Sequence, residues 1–284
     1  MTTKTSPPGE TYLRLRQLCL VARELAPVEE DLCAVFGVRV CHRDPEVGQF
    51  GLHNALMPFG SSFVEVVAPL REGTAAGRYL ERRQGDGGYM VILDSDALDP
   101  WRAHVAEIGV RIAAPLKLGD YEGMQLHPRD TGGALLEINH TLGGESITGA
   151  YWPAGKAWTT FVRRERVMEV IGATLQSSDP RALAERWSRI LKRPVATIDG
   201  NACVQVDNAT LRFVEATDGR GEGLGGIDLH VSDAAAIVSS AGALGHPVDM
   251  TGRWPIVEVG GVRFTLSTAA FTAAAPAAST LTGA

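Results

Sequence analysis

Short apolar runs separated by glycine, proline and serine dominate this chain, and they recur in a fixed order. The first run, LRLRQLCLVA at residues 13–22, has the branched and apolar content of a strand. Pro27 then stands at the start of VEEDLCAVF, where apolar residues have helical spacing, and Gly37 readily ends a helix. Three further runs typical of an antiparallel meander follow: VRVCHRD, QFGLHNALM and SSFVEVVAP. The pattern predicts a βαβββ unit.

The same order of elements returns at an offset of 72 residues. This offset places the Gly-Val-Arg triplet at 37–39 on the identical triplet at 109–111, and Glu65 in SSFVEVV on Glu137 in GALLEIN. Several unlike features that align at one offset indicate an internal repeat. We therefore predict a second βαβββ unit, which begins with the strand GYMVILDSD and a helix that opens at Pro100.

Two weaker copies follow a glycine-rich stretch. One runs from VMEVIGATLQ to ATLRFVEATD, and the other from GGIDLHVSD to VGGVRFTLS. A single unit would leave one sheet face bare, so the units should pair around a shared interior. The predicted fold class is α+β, with four βαβββ modules paired into two half-barrel domains. The predicted divisions are an N-terminal domain at 12–142, a linker at 143–166, a C-terminal domain at 167–267 and a disordered tail at 268–284.

Composition and charge narrow the choice of partners. Hydrophobic residues make up 45% and charged residues 21%, near the averages for globular proteins, and 284 residues are enough for two domains without disulfides. The net charge of -6 argues against a nucleic-acid or anionic-membrane surface. The four cysteines lack CxxC spacing, and the sequence contains neither a signal-peptide core nor a membrane-length apolar run. We expect a cytoplasmic monomer or homodimer that binds a small molecule, not a nucleic acid or a membrane.

The tandem units, with a carboxylate in the last strand of each of the first two, resemble the vicinal oxygen chelate superfamily. This superfamily includes glyoxalase I, extradiol dioxygenases and bleomycin-resistance proteins, and the resemblance spans about residues 13–267. Members that bind a metal place one ligand on the first strand and one on the last strand of each paired unit. For this chain the resemblance implies metal ligands at Gln17, Glu65 and Glu137. Tyr89 stands at the fourth place, where histidine is usual.

The implied donors favour a hard cation. Two glutamates and a glutamine offer oxygen atoms, which suit magnesium or manganese better than nickel, cobalt or zinc, and better than the iron of extradiol dioxygenases. A divalent ion would polarise two adjacent oxygens of a substrate as a Lewis acid. No organic cofactor is indicated. The alternative interpretation is that both glutamates face water, because isolated buried carboxylates are expensive.

Two polar segments beside the glutamate strands supply further candidates. FGLHNALMPFG contains His53 and Asn54, and QLHPRDTGG contains His127 and Asp130. Either histidine is a candidate for the catalytic proton transfer, since imidazole titrates near neutral pH, with a bond to a turn carbonyl as the structural alternative. Asn54 and Asp130 are candidates for substrate binding, although residues 130–133 first indicate a hairpin turn.

Tyr89 and Arg78 complete the predicted substrate contacts. Tyr89 is expected to shape the pocket or to donate a hydrogen bond. Arg78 shares a short stretch with Arg71, Arg82 and Arg83. This stretch forms either a cationic wall for an anionic substrate or a solvated helix face.

The C-terminal pair of units is poorer in such residues. The corresponding positions are Gly172, Glu215 and Thr265, with Gly226 or Ile227 nearest to the fourth place. We therefore expect the C-terminal domain to be non-catalytic.

The leading functional hypothesis is a glyoxalase-like protein that binds a small oxygenated substrate at a divalent metal in the N-terminal barrel. Its chemistry would be of the lyase or isomerase type, and whether it is an enzyme at all stays open. The alternatives are a metal-free protein that sequesters a small molecule, as bleomycin-resistance proteins do, and a relative of the ring-cleaving dioxygenases.

Overall fold

A computed structural model describes residues 12–273, and its strands form two sheets. The first sheet takes seven strands from the N-terminal half of the chain, and the second takes eight from the C-terminal half. The predicted fold class, with modules of the βαβββ type paired two by two, is confirmed. The predicted domain boundaries stay a prediction. Of the predicted tail at 268–284, residues 274–284 lie outside the described part of the chain.

The first module opens on a strand that is buried along its whole length. Its elements are β1 (Leu13–Val21), α1 (Leu25–Phe36), a 3-10 helix (Pro45–Phe50), β2 (Leu52–Phe59), β3 (Ser62–Pro69) and α2 (Ala75–Arg83). Gly37 ends α1 with a left-handed φ of 68°, as predicted. The strand predicted at VRVCHRD is wrong, because only an isolated bridge joins His42 to Leu56. Pro45, which has no N–H to give to a ladder, then starts the 3-10 helix.

The second module contains the predicted strands and helix. Its elements are β4 (Gly87–Ser95), α3 (Asp99–Glu107), β5 (Ile112–Leu118), β6 (Tyr121–Leu126), α4 (Pro128–Thr131) and β7 (Leu135–Thr141). The turn expected at 130–133 is instead the end of a short helix, after which Gly132 and Gly133 adopt positive φ. β1 and β4 run antiparallel at the centre of the sheet, and each pairs in parallel with the last strand of its own module, β3 or β7.

The C-terminal half repeats this plan. Its elements are β8 (Val167–Ser177), α5 (Pro180–Leu191), β9 (Val195–Ile198), β10 (Asn201–Val206), β11 (Ala209–Glu215), β12 (Gly223–Val231), α6 (Ala234–Ala243), β13 (Val248–Asp249), β14 (Ile256–Val259) and β15 (Val262–Ser267). β8 and β12 form the antiparallel centre, flanked by β11 and β15 in parallel. In the sequence between the strands of the two sheets, two 3-10 helices occupy Trp152–Ala154 and Trp158–Phe161.

One large hydrophobic core joins the two halves. The ring of Phe36 on α1 lies between two other rings. Phe59, in the same half, has its centroid 5.4 Å away, and Phe264, in the C-terminal half, has its centroid 4.6 Å away. Burial of each such ring contributes about 1.5–3 kcal/mol. Because alternate residues of a strand point to opposite faces, the other face of each central strand turns away from this core. Each half can therefore build a cavity of its own.

The central strand pairs carry bulges at matching places. In the β1–β4 pair the ladder skips Arg16 and Tyr89. In the β8–β12 pair it skips Ile171 and Gly225 at the matching places, and also Met168 near the strand end. In both pairs three residue pairs separate the two bulges. A bulge adds one residue to a strand and redirects its side chains. The bulges therefore define one common frame in which positions of the four modules can be compared.

Candidate functional site

A cavity of about 450 Å³ lies on the face of the first sheet that turns away from the main core. Its walls are mostly apolar and aromatic, and they include Tyr79, Tyr89, Met90, Ile92, Leu135 and Trp152. The side chains of Gln17, Glu65 and Glu137 also line it. The sequence prediction that these three polar residues face one interior therefore agrees with the structure. Cavities of this size hold small organic molecules.

Glu65 is buried on β3 and is held by two amides. The Asn54 side chain donates to Oε1 at 2.6 Å, and the Gln17 side chain donates to Oε2 at 2.8 Å. Burial raises the pKa of Glu65 above its usual value, and the hydrogen bonds from the amides offset only part of that rise. Glu65 is thus a stronger base than an exposed glutamate. Asn54, predicted as a substrate contact, instead orients this carboxylate.

Glu137 is buried on β7 and is held in a similar way. Gln125 donates to Oε2 at 3.0 Å, Asn139 donates to Oε1 at 3.3 Å, and the Tyr121 hydroxyl donates to Oε1 as well. Burial, together with the nearby carboxylate, holds the pKa of Tyr121 well above its usual range, so this phenol stays a donor. Within residues 12–273, no lysine, arginine or histidine forms an ion pair with Glu65 or Glu137.

Gln17 connects Glu65 to the segment between the two sheets. Its Oε1 accepts a hydrogen bond from the Tyr151 hydroxyl at 2.9 Å. The Tyr151 ring stacks on Phe63 with centroids 5.0 Å apart, and the guanidinium of Arg16 lies 4.8 Å from its centre. The Arg16 guanidinium also lies 5.3 Å from the Trp158 ring. Sequence reasoning missed Tyr151, which falls in the predicted linker, although aromatic residues are unusual in a linker.

In the strand pairing, Met90 and not Tyr89 is the residue equivalent to Gln17. Gln17 is the residue that follows the bulge at Arg16, and Met90 is the residue that follows the bulge at Tyr89. The predicted offset of 72 residues relates Glu65 to Glu137. Gln17 and Met90 are 73 residues apart, because the position of the bulge differs by one residue between the two first strands. Tyr89 still lines the cavity, where its ring contacts that of Tyr79 at 5.0 Å.

The same frame corrects the assignment in the C-terminal half. Glu65 pairs with Cys19 and Glu137 with Ile92, in each case the third residue after the bulge. The third residues after Ile171 and Gly225 pair with Arg212 and Thr265. Thr265 stands where it was predicted. The prediction of Glu215 at the other place is wrong, since this residue lies three positions further along β11.

The structure does not bring the two candidate histidines to the cavity. The side chain of His53 is exposed on β2. His127 caps the short helix α4, where its Nδ1 accepts a hydrogen bond from the Arg129 backbone at 3.2 Å. Neither histidine lines the cavity.

Two of the predicted substrate contacts also lie elsewhere. Asp130 pairs with Arg111 at 2.7 Å on the surface. Arg78 is exposed on α2 and donates to the Gly73 carbonyl at 2.7 Å. Of the predicted arginine stretch, Arg82 lines the cavity. Arg83 is buried and donates to the carbonyls of residues 220–222 in the other half. The stretch is thus a solvated helix face except for Arg83, with one guanidinium on the cavity wall.

The chemistry of the donor set decides which cation the site fits. Gln17, Glu65 and Glu137 offer oxygen atoms, and the two buried carboxylates lack a positive side-chain partner in the described chain. Met90 adds only a soft thioether at the fourth place. Residues 12–273 contain no cluster of three or more histidine, cysteine, aspartate or glutamate residues arranged to hold a metal. By donor type, the oxygen atoms of this set suit a hard, oxygen-preferring divalent ion better than a nitrogen- or sulfur-preferring one.

The paired modules and their shared interior define a protein of the vicinal oxygen chelate fold, as the sequence resemblance predicted. The family model described as the glyoxalase-like domain matches residues 18–191, more than half of the chain. The chain belongs to this glyoxalase-like domain family. No curated protein shows a significant match to it. Within residues 12–273, no helix has the length and hydrophobicity of a membrane span.

Several solved structures are similar to this chain. A hypothetical protein from Staphylococcus aureus superimposes with a TM-score of 0.62 at 10% identity, over 90% of this chain and 99% of that chain. Streptomyces coelicolor methylmalonyl-CoA epimerase, in complex with 2-nitronate-propionyl-CoA, has a TM-score of 0.42 at 23% identity, over 45% of this chain and 96% of that chain. The epimerase from Mycobacterium tuberculosis has a TM-score of 0.41 at 22% identity, over 45% of this chain and 87% of that chain. The Staphylococcus aureus structure shows that the fold extends over nearly the whole chain.

Proposed function

We propose that the N-terminal cavity binds a small oxygenated molecule with a mainly apolar body and promotes lyase- or isomerase-type proton transfer on it. One observation carries this proposal: two carboxylates, Glu65 and Glu137, are buried in one apolar cavity without a basic partner in the described chain. Buried, unpaired carboxylates are costly unless a proton or a cation accompanies them. The working state of the site therefore contains at least one of the two.

Gln17, Glu65 and Glu137 would hold a divalent ion. Such an ion supplies Lewis-acid polarisation of two adjacent substrate oxygens. The oxygen donors favour magnesium or manganese over nickel, cobalt or zinc, and this preference disfavours the iron chemistry of ring-cleaving dioxygenases.

The residues of the chain itself would position the substrate and move the proton. The apolar walls exclude water and raise the pKa of Glu65, which makes its carboxylate the strongest candidate for the base. Asn54 and Tyr121 fix the orientation of the two carboxylates by donating to them. Proton transfer by a histidine, as first predicted, would require His53 or His127 to reach the cavity.

A second candidate function, metal-free sequestration of an apolar or aromatic molecule, has its own support. Every carboxylate oxygen of Glu65 and Glu137 already accepts a hydrogen bond from an uncharged side chain. With a proton on one of the carboxyl groups, the site would need no ion. The remaining apolar and aromatic wall would then bind the body of the ligand.

Metal analysis combined with melting temperatures separates the two functions. We expect about one equivalent of a divalent ion in the purified protein, and a melting temperature that rises when magnesium or manganese is added after chelation. Glu65→Gln and Glu137→Gln keep the side-chain volume and should abolish both effects. Glu30→Gln, on the exposed face of α1, is the matched control and should retain them.

The absence of any bound ion and of any melting shift would overturn the metal-dependent proposal. In that case, binding of an apolar fluorescent dye to the wild-type cavity, with competition by small aromatic molecules, tests the sequestering function directly. Failure of this second test as well would remove the N-terminal cavity from consideration as a ligand site.

A further inference from the structure

The C-terminal half contains a second cavity, of about 310 Å³. It lies on the face of the second sheet that turns away from the main core, where Arg212 alternates with the core residues Leu211 and Phe213. Arg263, Thr174 and Thr265 also line it. Two arginines and two threonines therefore stand among the residues that line it.

The frame set by the bulges shows that equivalent interior places carry different charges in the two halves. Arg212 occupies the place of Glu65, and Thr265 occupies the place of Glu137. Arg263 takes a place that is apolar in the first sheet, where Leu135 pairs with Met90. Two guanidinium groups thus stand in a cavity whose counterpart holds two carboxylates.

Glycines replace two side chains of the first cavity in this half. The places of Gln17 and Met90 are taken by Gly172 and Gly226. A Cβ atom on Gly172 would lie 2.7 Å from the Thr210 carbonyl oxygen, and one on Gly226 would lie 3.2 Å from the Arg263 carbonyl oxygen. Neither place has space for a side chain, so no side chain from these two places enters the cavity.

Arg212 is oriented but only partly engaged. Its Nη2 lies 3.0 Å from Oδ2 of Asp228, and its Nη1 donates both to Oδ1 of Asp228 and to the Thr174 hydroxyl at 3.4 Å. Asp228 is buried, whereas about a third of the Arg212 side chain is exposed. The ion pair fixes one edge of the guanidinium. Within residues 12–273, no group accepts a hydrogen bond from the Nε of Arg212.

Arg263 has no carboxylate partner in the described chain. Its Nε donates to the Gly225 carbonyl at 3.4 Å, and its Nη2 donates to Oε1 of Gln176 at 3.3 Å. Both acceptors are uncharged and both contacts are long, and no described residue accepts from Nη1. The positive charge of Arg263 is therefore not neutralised by a neighbour and faces the cavity.

We propose that the C-terminal cavity binds a small oxyanion, a carboxylate or a phosphate, between Arg212 and Arg263. The planar fork of a guanidinium matches two oxygens of either group, and such charge-assisted hydrogen bonds are among the strongest in proteins. The hydroxyls of Thr174 and Thr265 supply further donors. Glu215, exposed at the rim, is the opposing charge in the lining and weakens binding.

The test is a calorimetric titration of the full chain with inorganic phosphate and, separately, with succinate, at constant ionic strength. We expect saturable binding at one site for at least one probe, and the tighter of the two identifies the oxyanion. Arg263→Gln should weaken binding at least about tenfold. The double variant Arg212→Gln/Asp228→Asn should do the same without leaving a buried carboxylate unpaired. Glu215→Gln should tighten binding about twofold.

Two controls make the outcome decisive. Arg253→Gln removes an exposed guanidinium from the same half of the chain and should change the affinity by less than about twofold. Glu65→Gln, in the other cavity, should have no effect. The proposal is overturned if neither probe binds saturably at about 10 mM. It is also overturned if Arg253→Gln weakens binding as much as Arg263→Gln, or if only Glu65→Gln changes it.

Discussion

Removal of the Tyr151 hydroxyl tests whether the segment between the sheets belongs to the candidate site. Tyr151→Phe keeps the ring that stacks on Phe63 and deletes only the group that donates to Gln17 Oε1 at 2.9 Å. A buried neutral hydrogen bond contributes about 1 kcal/mol, and a buried acceptor left without a donor costs about 1–3 kcal/mol. Because Gln17 keeps its bond to Glu65, we expect a loss near 2 kcal/mol in the free energy of unfolding, about 4–8 °C in melting temperature.

The assay is reversible urea unfolding together with calorimetry, and the chain offers a matched control. Tyr89→Phe removes another tyrosine hydroxyl from the same cavity wall. Within residues 12–273 the Tyr89 hydroxyl forms no hydrogen bond, so this variant should change stability by less than about 0.5 kcal/mol. Equal losses in both variants, or no loss in Tyr151→Phe, would refute the assignment of Tyr151 to the site.

Three further predictions concern other features of the molecule. Because burial raises the pKa of Glu65 above 4.5, its protonated form is favoured in the folded state, so wild-type stability is lost as pH rises from 4.5 towards the folded pKa. In the presence of a chelator, the free energy of unfolding of Glu65→Gln, measured in urea, should rise relative to that of the wild type as pH increases over this range. A difference between the two that does not depend on pH contradicts the prediction. Gly88→Ala would place a Cβ 2.3 Å from the Leu224 carbonyl of the other half, so it should lower the free energy of unfolding by about 1–3 kcal/mol. Gly242→Ala, in an open part of α6, should instead raise it by up to about 1 kcal/mol. His53→Gln should leave ligand binding unchanged in calorimetry, and a large loss would return this histidine to the site.

Much of the fold could be predicted because the local signals agree with one another. Gly37 ends α1 in a left-handed conformation, and the 72-residue offset brings Glu65 and Glu137 to equivalent places in two last strands. Alternation put each glutamate on the strand face opposite its apolar neighbours, and the resemblance to the superfamily favoured an inward direction for that face. The strand predicted around His42 failed because Pro45 and Asp44 favour a 3-10 turn there.

The remaining features of the site depend on contacts that periodicity does not encode. The bulge at Tyr89 moves the interior place by one residue to Met90, and a sequence offset cannot register such a shift. Tyr151 reaches Gln17 from 134 residues away in the sequence. His53 lies one residue before the buried Asn54, so alternation along β2 turns its side chain outward.

The matching bulges also bear on how the two halves diverged. They keep the same strand pairing in both halves, while the residues at the shared interior places differ in charge, size and chemistry. Substitution at one of these places, such as Met90→His, changes what the cavity offers a ligand without altering a backbone hydrogen bond. A duplicated scaffold with interchangeable interior positions lets one copy of a gene segment keep an old specificity while the other acquires a new one.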